Sequence, residues 1–309
     1  MPPTATGMLP DLSNALADAV ERAANSTVTV SGRDRLPSSG IVWRSGVIVS
    51  ADHTLERDEE IGIGHPDLPR EARATLAGRD GTTDLAVLRV ENCPLPVAEG
   101  REIETVKVGH LALAVGRPHS GGPSASMGVI SAIGAEWTTW RGGRIDRFLH
   151  ADIDLPYGFS GGPLIDAQGR VIGMNTSGLS RRFDLTIPRA TVNRVVDQLL
   201  AKGRIARGYL GLGMQPVRIP DHVVRSLRLS GNGGIIIISV EPGQPAERAG
   251  VLIGDVLVAI DGTPIDDPGD VLAALGPERI GATIALRLIR AGELKDVPIT
   301  VGERPAHWE

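Results

Sequence analysis

Gly158-Phe159-Ser160-Gly161-Gly162-Pro163 constrains this chain more than any other stretch, because few folds have a use for such a string. One glycine stands two residues before the serine and two follow it. With no Cβ on either side, the backbone amides around Ser160 are free to converge. Converging N–H groups stabilise a developing oxyanion, which is usually the largest single contribution to acyl-transfer chemistry. The hexapeptide is far more specific than a glycine-rich turn alone.

The same letters also fit Gly-x-Ser-x-Gly, the nucleophile elbow of α/β-hydrolases, which runs from a strand into a helix and has its histidine downstream. Here Ser160 is followed by Leu164-Ile165, a polar turn through Gly169, and Val171-Ile172-Gly173-Met174. Two apolar runs flanking a turn read as a β-hairpin, so the elbow is disfavoured and a partner histidine is sought upstream. Val47-Ile48-Val49-Ser50-Ala51-Asp52-His53 is a β-branched run that delivers His53 at its end. Thr83-Asp84-Leu85-Ala86-Val87-Leu88 places Asp84 at the mouth of another strand. An aspartate so close to an apolar core can orient an imidazole and stabilise its charged form. His65, His110, His119, His150, His222 and His307 lack a comparable setting. The order His53, Asp84, Ser160 is that of chymotrypsin-type enzymes.

With these pieces, and with Ser39-Gly40-Ile41-Val42, Ala114-Val115-Gly116-Arg117-Pro118, Gly128-Val129-Ile130-Ser131 and Asn175-Thr176, the chain resembles the HtrA (Deg) family of serine proteases. The similarity runs from about residue 27 to 303. It implies a mainly β fold, a chymotrypsin/trypsin-like double β-barrel followed by a PDZ domain. It also implies His53 as general base, Asp84 as its orienter, Ser160 as nucleophile, and the Gly158 and Ser160 amides as oxyanion donors. No metal or cofactor is implied, and trimers assembled through the protease domains are.

Three features depart from the family pattern. Phe159 replaces the usual Asn before the serine, and the Asp by which digestive relatives capture a freed N-terminal amine. No activation by N-terminal cleavage is therefore expected, and the support of the oxyanion loop is left open. Thr54-Leu55 follow the histidine in place of a valine-rich pair, and only residues 32–39 link the first strand to the next. For specificity, the resemblance implies an apolar pocket lined from Leu155. Asp154, six residues before the serine, is where a charged floor selecting basic side chains would sit. Asn175-Thr176-Ser177 are expected to form the strand edge that pairs with substrate backbone.

The chain's 309 residues accommodate two domains. Its 39 glycines, 22 prolines and 3% aromatics suit a turn-rich β protein. A net charge of −5 without a Lys/Arg run gives no footprint for nucleic acid. The single cysteine, Cys93, excludes an intrachain disulfide and reads as a structural thiol. No apolar run is long enough to cross a membrane and the first residues lack a leader pattern, so a cytoplasmic protein is expected.

Residues 1–26 are read as an N-terminal segment holding a short helix over 11–24, with Leu12, Leu16, Ala19 and Val20 at helical spacing. The protease domain is expected over 27–203, closing with a helix over 188–202 between Pro188 and Gly203. A linker over 204–208, a PDZ domain over 209–303 and a tail over 304–309 follow. Pro245-Ala246-Glu247-Arg248-Ala249-Gly250 and Gly254-Asp255 are a fairly specific mark of an HtrA-type PDZ domain. By resemblance Tyr209-Leu210-Gly211-Leu212 is the loop that binds peptide C-termini. The functional expectation is an ATP-independent endopeptidase acting on unfolded or damaged protein. The alternative is an idle relative that binds peptides or acts as a chaperone.

Overall fold

The computed structural model describes residues 7–34, 36–70, 72–118, 122–180 and 182–304. His119, His307 and the tail over 305–309 lie outside them. The chain divides into two compact units between Ile205 and Ala206.

Helix α1 (Met8–Ala24) begins nearly a turn before the sequence reading. Its buried face is Ala19, Ala23 and Ala24 with Leu16 and Val20 beside them, while Leu12 stays exposed. Small side chains let it lie close on the strands beneath.

Six strands follow: β1 (Thr27–Ser31), β2 (Ser38–Arg44), β3 (Val47–Ala51), β4 (Ile61–Gly64), β5 (Arg73–Asp80) and β6 (Leu85–Arg89). They close into an antiparallel barrel in the order β1-β2-β3-β6-β5-β4. Val28, Val30, Val42, Ile48, Ile61 and Leu88 fill it, and half-buried Cys93 packs against that core. β3 is buried along its whole length, because one face fills this barrel and the other meets the next sheet.

The second sheet holds β7 (Leu111–Gly116), β8 (Ser124–Ile133), β11 (Leu149–Asp152), β12 (Pro163–Asp166), β13 (Val171–Thr176) and β14 (Leu185–Pro188), with a small ribbon of β9 (Trp137–Thr138) and β10 (Arg144–Ile145) alongside. Its order is β11-β8-β7-β12-β13-β14, and its two end strands approach each other without ladder bonds. The expected hairpin is β12–β13. Buried Asp166 caps its turn by accepting from the Gln168 and Arg170 amides at 2.9 and 3.0 Å. Between the two sheets lies the largest core, including Ile41, Val49, Leu85, Val115, Ile165 and Met174.

Helix α2 (Arg189–Lys202) covers one side of that core with Val192, Val195, Val196 and Leu199. Each such buried aliphatic contributes about 1.5–3 kcal/mol. Pro188 stands at the cap rather than within the first turn, and Gly203 ends the helix at φ +69°, its N–H bonded to the Leu199 carbonyl at 2.8 Å.

The second unit contains β15 (Gly208–Tyr209), β16 (Leu212–Arg218), α3 (Asp221–Leu227), β17 (Gly233–Val240), α4 (Pro245–Arg248), β18 (Val256–Ile260), β19 (Thr263–Pro264), α5 (Pro268–Ala274), β20 (Thr283–Arg290), β21 (Glu293–Thr300) and β22 (Gly302–Glu303). Its main sheet runs β16-β17-β18-β20-β21, so β16 is an edge strand. β20 shows the alternating burial that its sequence predicts. Asp267 and Asp270 form a capping box at the start of α5. α3 has no counterpart in the sequence reading. Seven residues are too few to establish a helical period, and its Val223, Val224 and Leu227 are only partly buried.

Candidate active site

His53 sits in a 3₁₀ turn, Asp52–Thr54, that continues β3. Asp84 precedes β6, the ladder partner of β3, and adopts φ +57°, a conformation aspartate tolerates better than most residues. Its Oδ1 accepts from the His53 backbone N–H at 2.9 Å, and its Oδ2 lies 2.8 Å from His53 Nδ1. The Thr176 hydroxyl also donates to Oδ2, and the Gly178 N–H donates to Thr176 Oγ1 at 2.8 Å. Three donors therefore converge on a carboxylate that is only 2% exposed, which is what an ionised group needs at that depth. Gly178 completes the packing, for a Cβ there would stand 2.6 Å from His53 Nδ1 and 2.7 Å from Asp84 Oδ2.

The loop around Ser160 is fixed from several sides. Phe159 N–H closes a turn onto the Pro156 carbonyl at 3.1 Å, and Gly158 takes φ +85°, the sign a type II turn requires at its third residue. Ser39, on β2, donates its hydroxyl to the Gly158 carbonyl at 2.7 Å and its N–H to the Ser160 carbonyl at 3.1 Å. Among the described residues, neither the Gly158 nor the Ser160 amide has a protein acceptor. Both are thus left as donors for an incoming oxyanion. Phe159 is 2% exposed and lies against Gly116, where a Cβ would come within 2.8 Å of its ring. A buried ring anchors the position that an ion pair would otherwise hold. In the sequence Ser39 stands out only through the family resemblance, because a serine in a strand carries no mark of such a tether.

Ser160 and His53 meet through a third residue. Ser160 Oγ is 3.1 Å from Ser177 Oγ and accepts from the Ser177 N–H at 3.3 Å. Ser177 Oγ in turn lies 3.5 Å from His53 Nε2. The hydrogen bonds of the Ser160 hydroxyl are thus with Ser177, which stands between it and His53.

The expected substrate edge is divided among different tasks. Asn175 pairs by backbone with Gly161 and Gly162 on one side and lies in the β13–β14 ladder on the other. Thr176 is fully buried behind Asp84. Neither offers a free edge, whereas Ser177, the third residue of the expected edge, is exposed.

A small cavity next to the serine loop has room for little more than one water molecule. Ile153, Leu155, Leu164, Asn175, Asp184 and Leu185 contribute to its lining. Asp154 is exposed and lies outside it, because Ile153 and Leu155 face inward and alternation in extended chain turns the residue between them away. The acid in the lining is Asp184, which sequence spacing did not single out. Burial raises the pKa of Asp184 and Asp154 adds to the effect, opposed by the Leu155 amide and His150.

Asp52, beside the histidine, is pushed up to about 6, chiefly by burial, with Arg79 opposing and Asp84 and Asp80 reinforcing. Arg79 Nε is 3.5 Å from its Oδ1, too far to hydrogen-bond well.

In the second unit, Gly211 has φ +79° and its carbonyl accepts from Glu241 N–H at 2.9 Å. The buried Leu210 carbonyl accepts from Ala246 N–H at 2.9 Å, and the Tyr209 hydroxyl donates to Glu241. Leu212 opens β16, an edge strand of its sheet that lies against α5. Among the described residues no group of acidic, His or Cys side chains is placed to hold a metal, and no helix is long and apolar enough to cross a membrane.

Residues 38–174 match the trypsin-like peptidase domain family and residues 208–301 the PDZ domain family. Probable periplasmic serine endoproteases, DegP-like, from Rhizobium meliloti and Halomonas elongata are 33% and 34% identical over 89% and 88% of this chain. The chain spans 55% and 57% of their lengths. Among solved structures, the HtrA-type protease AlgW with decapeptide is 28% identical at a TM-score of 0.72, covering 94% of this chain and 99% of that one. The serine endoprotease from Yersinia pestis is 30% identical at a TM-score of 0.71, covering 94% and 98%. The expectation of a cytoplasmic protein is overturned by the periplasmic naming of the curated relatives. One cysteine was weak ground for it, since a fold that needs no disulfide is stable in either redox setting. With its two domains in the same order, and with nearly the whole of a solved serine endoprotease matched at 30% identity, the chain belongs to the HtrA (DegP-like) family of PDZ-bearing, trypsin-like serine proteases.

Proposed function

We propose that this chain is an ATP-independent serine endopeptidase that hydrolyses extended segments of unfolded or damaged protein through an acyl-enzyme. The observation that carries the proposal is the pairing of His53 with buried Asp84 at 2.8 Å, linked through Ser177 to a serine whose own amide and that of Gly158 have no protein acceptor among the described residues. On substrate binding, Ser160 Oγ leaves Ser177 and turns to His53. Nε2 takes its proton as Oγ attacks the scissile carbonyl, and Asp84 stabilises the imidazolium. The Gly158 and Ser160 amides hold the oxyanion. The proton then passes to the leaving amine, and water repeats the sequence on the ester.

The edge of β16 beside α5 is proposed to receive peptide C-termini as an added strand, with the carboxylate in the loop of Tyr209, Leu210, Gly211 and Leu212. The decapeptide of the AlgW structure supports peptide binding in a close architecture. Assembly into trimers and a role in protein quality control belong to the same reading.

The test is fluorophosphonate labelling and cleavage of casein, with and without a C-terminal peptide ligand, alongside Ser160→Ala. Labelling and cleavage that vanish with Ser160 support the proposal. A wild type that does neither under any of these conditions overturns it, in favour of a peptide-binding module. Light scattering tests the trimer.

A further inference from the structure

We infer that Arg117 is a positioning residue for the oxyanion turn, and that it couples the C-terminal end of α1 to the oxyanion amides. This rests on the endopeptidase reading above. Arg117 follows β7 and is only 4% exposed. Its Nε donates to the Thr27 carbonyl at 2.8 Å, and its Nη2 to the Ala24 carbonyl, at the end of α1, at 3.1 Å. Its own carbonyl accepts from the Thr29 hydroxyl at 2.8 Å. Among the described residues no carboxylate forms an ion pair with the guanidinium; Asp67 acts on it only at longer range, and burial lowers its pKa. The negative end of the α1 dipole takes the place of a counter-ion.

What this anchor holds is a wall of the serine loop. A Cβ at Gly116 would stand 2.8 Å from the Phe159 ring, and a Cβ at Gly158 would stand 2.5 Å from Pro118 Cβ. Between them, the Arg117 N–H donates to Ser39 Oγ at 2.8 Å, and Ser39 donates its own proton to the Gly158 carbonyl at 2.7 Å. That carbonyl lies between the two donor amides along the chain, so a shift of it turns them away from the oxyanion. α1 reaches the far side as well. Arg22 Nε donates to the Gln168 carbonyl at 3.0 Å, and a Cβ at Gly169 would stand 2.8 Å from the Ala19 carbonyl. The helix thus touches both β7, whose end walls the loop, and the β12–β13 hairpin that follows it. An arginine serving stability alone would leave kcat of the folded enzyme unchanged; the relay through Ser39 ties this one to the chemistry.

The experiment measures kcat and KM on fluorescein-labelled casein, and fluorophosphonate labelling rates, for wild type, Arg117→Met, Arg117→Lys, Ser39→Ala and Ile61→Val. Circular dichroism gives the folded fraction of each. Arg117→Met should lower kcat and labelling of the folded fraction about 10–100-fold, less than the roughly 10²–10³ lost with a whole oxyanion donor, with KM within about threefold. Arg117→Lys keeps a cationic donor for the helix end and should recover about threefold or more of that loss. Ile61→Val, in the core of the first barrel, should leave kcat unchanged. Arg117→Lys combined with Ser39→Ala should lose little more than Ser39→Ala alone. Wild-type kcat in folded Arg117→Met, a loss confined to KM, or full additivity in the cycle overturns the inference and leaves the endopeptidase reading standing. A wild type that neither labels nor cleaves overturns both. Should Arg117→Met not fold, hydrogen exchange in the wild type decides. Phosphonylation of Ser160 fills the oxyanion site, and by reciprocity it should slow exchange of the Ser26 amide, which bonds to the Ala23 carbonyl, about threefold or more. Unchanged exchange there overturns the inference.

Discussion

Gly178→Ala should silence the protease without touching any of the three reacting residues. An added Cβ would stand 2.6 Å from His53 Nδ1, 2.7 Å from Asp84 Oδ2 and 3.0 Å from Asp84 Cγ. Ordinary van der Waals separation requires these atoms to retreat by roughly 0.5–1 Å. Asp84 cannot retreat freely, because Thr176 and the His53 backbone both hold it, so the imidazole must swing outward. A displacement of about 1 Å costs on the order of 10²-fold in rate, and full loss of imidazole orientation about 10⁴. We expect kcat/KM to fall by 10²–10⁴-fold by these estimates, with KM changed far less. Overpacking should cost no more than about 1–3 kcal/mol of stability, measured by urea denaturation. The cycle with Asp84→Asn is the sharper measurement. If both changes act through His53, the double variant loses little more than the worse single one. Gly178→Ala retaining a third or more of wild-type kcat/KM would refute the argument, as would full additivity in the cycle.

Ser177→Ala should raise kcat/KM on small ester substrates about 2–10-fold, since it removes a hydrogen bond worth about 0.5–1.5 kcal/mol that holds Ser160 away from His53. A fall instead would make Ser177 a relay between them. Phe159→Ala should destabilise the protease unit by about 3–5 kcal/mol in urea melts and slow fluorophosphonate labelling of the folded fraction, because the ring anchors the oxyanion turn. Asp52→Asn should flatten a pH dependence of stability. An acid whose folded pKa, about 6, exceeds the unfolded 3.8 binds its proton more tightly when folded, so stability is lost as pH rises from about 4 to 6. The loss is on the order of 3 kcal/mol by pH 8, and the variant should regain most of it in urea titrations at pH 4, 6 and 8. Gly211→Ala, whose Cβ would come 2.4 Å from that of Gln244 at φ +79°, should weaken C-terminal peptide binding at least tenfold by fluorescence anisotropy.

Legibility in the sequence followed the range of each interaction. The β12–β13 hairpin and the faces of α2 are periodic over many residues, so the sequence announces them. Ser160 was legible because its glycines are obligatory; Cβ atoms at Gly161 and Gly162 would lie 2.1 and 2.2 Å from the Ser39 and Val115 carbonyls. Tertiary tasks were hidden. Thr176 reads as a strand residue, yet its hydroxyl faces a carboxylate that is 92 residues away in the chain. Asp184 sits before a strand like any turn aspartate, and only the fold brings it to the pocket wall. Asp154 shows the opposite limit, where a correct count along the chain met an extended segment whose alternation faces it outward.

Ser39 belongs to the first barrel, whereas the two carbonyls it holds, and the Arg117 N–H that bonds its hydroxyl at 2.8 Å, belong to the second. His53 and Asp84 lie on the same side of that seam as Ser39. Neither half alone contains a working serine, and the oxyanion turn takes its shape only when the halves dock. The site is therefore assembled across the seam, and docking of the two halves completes it.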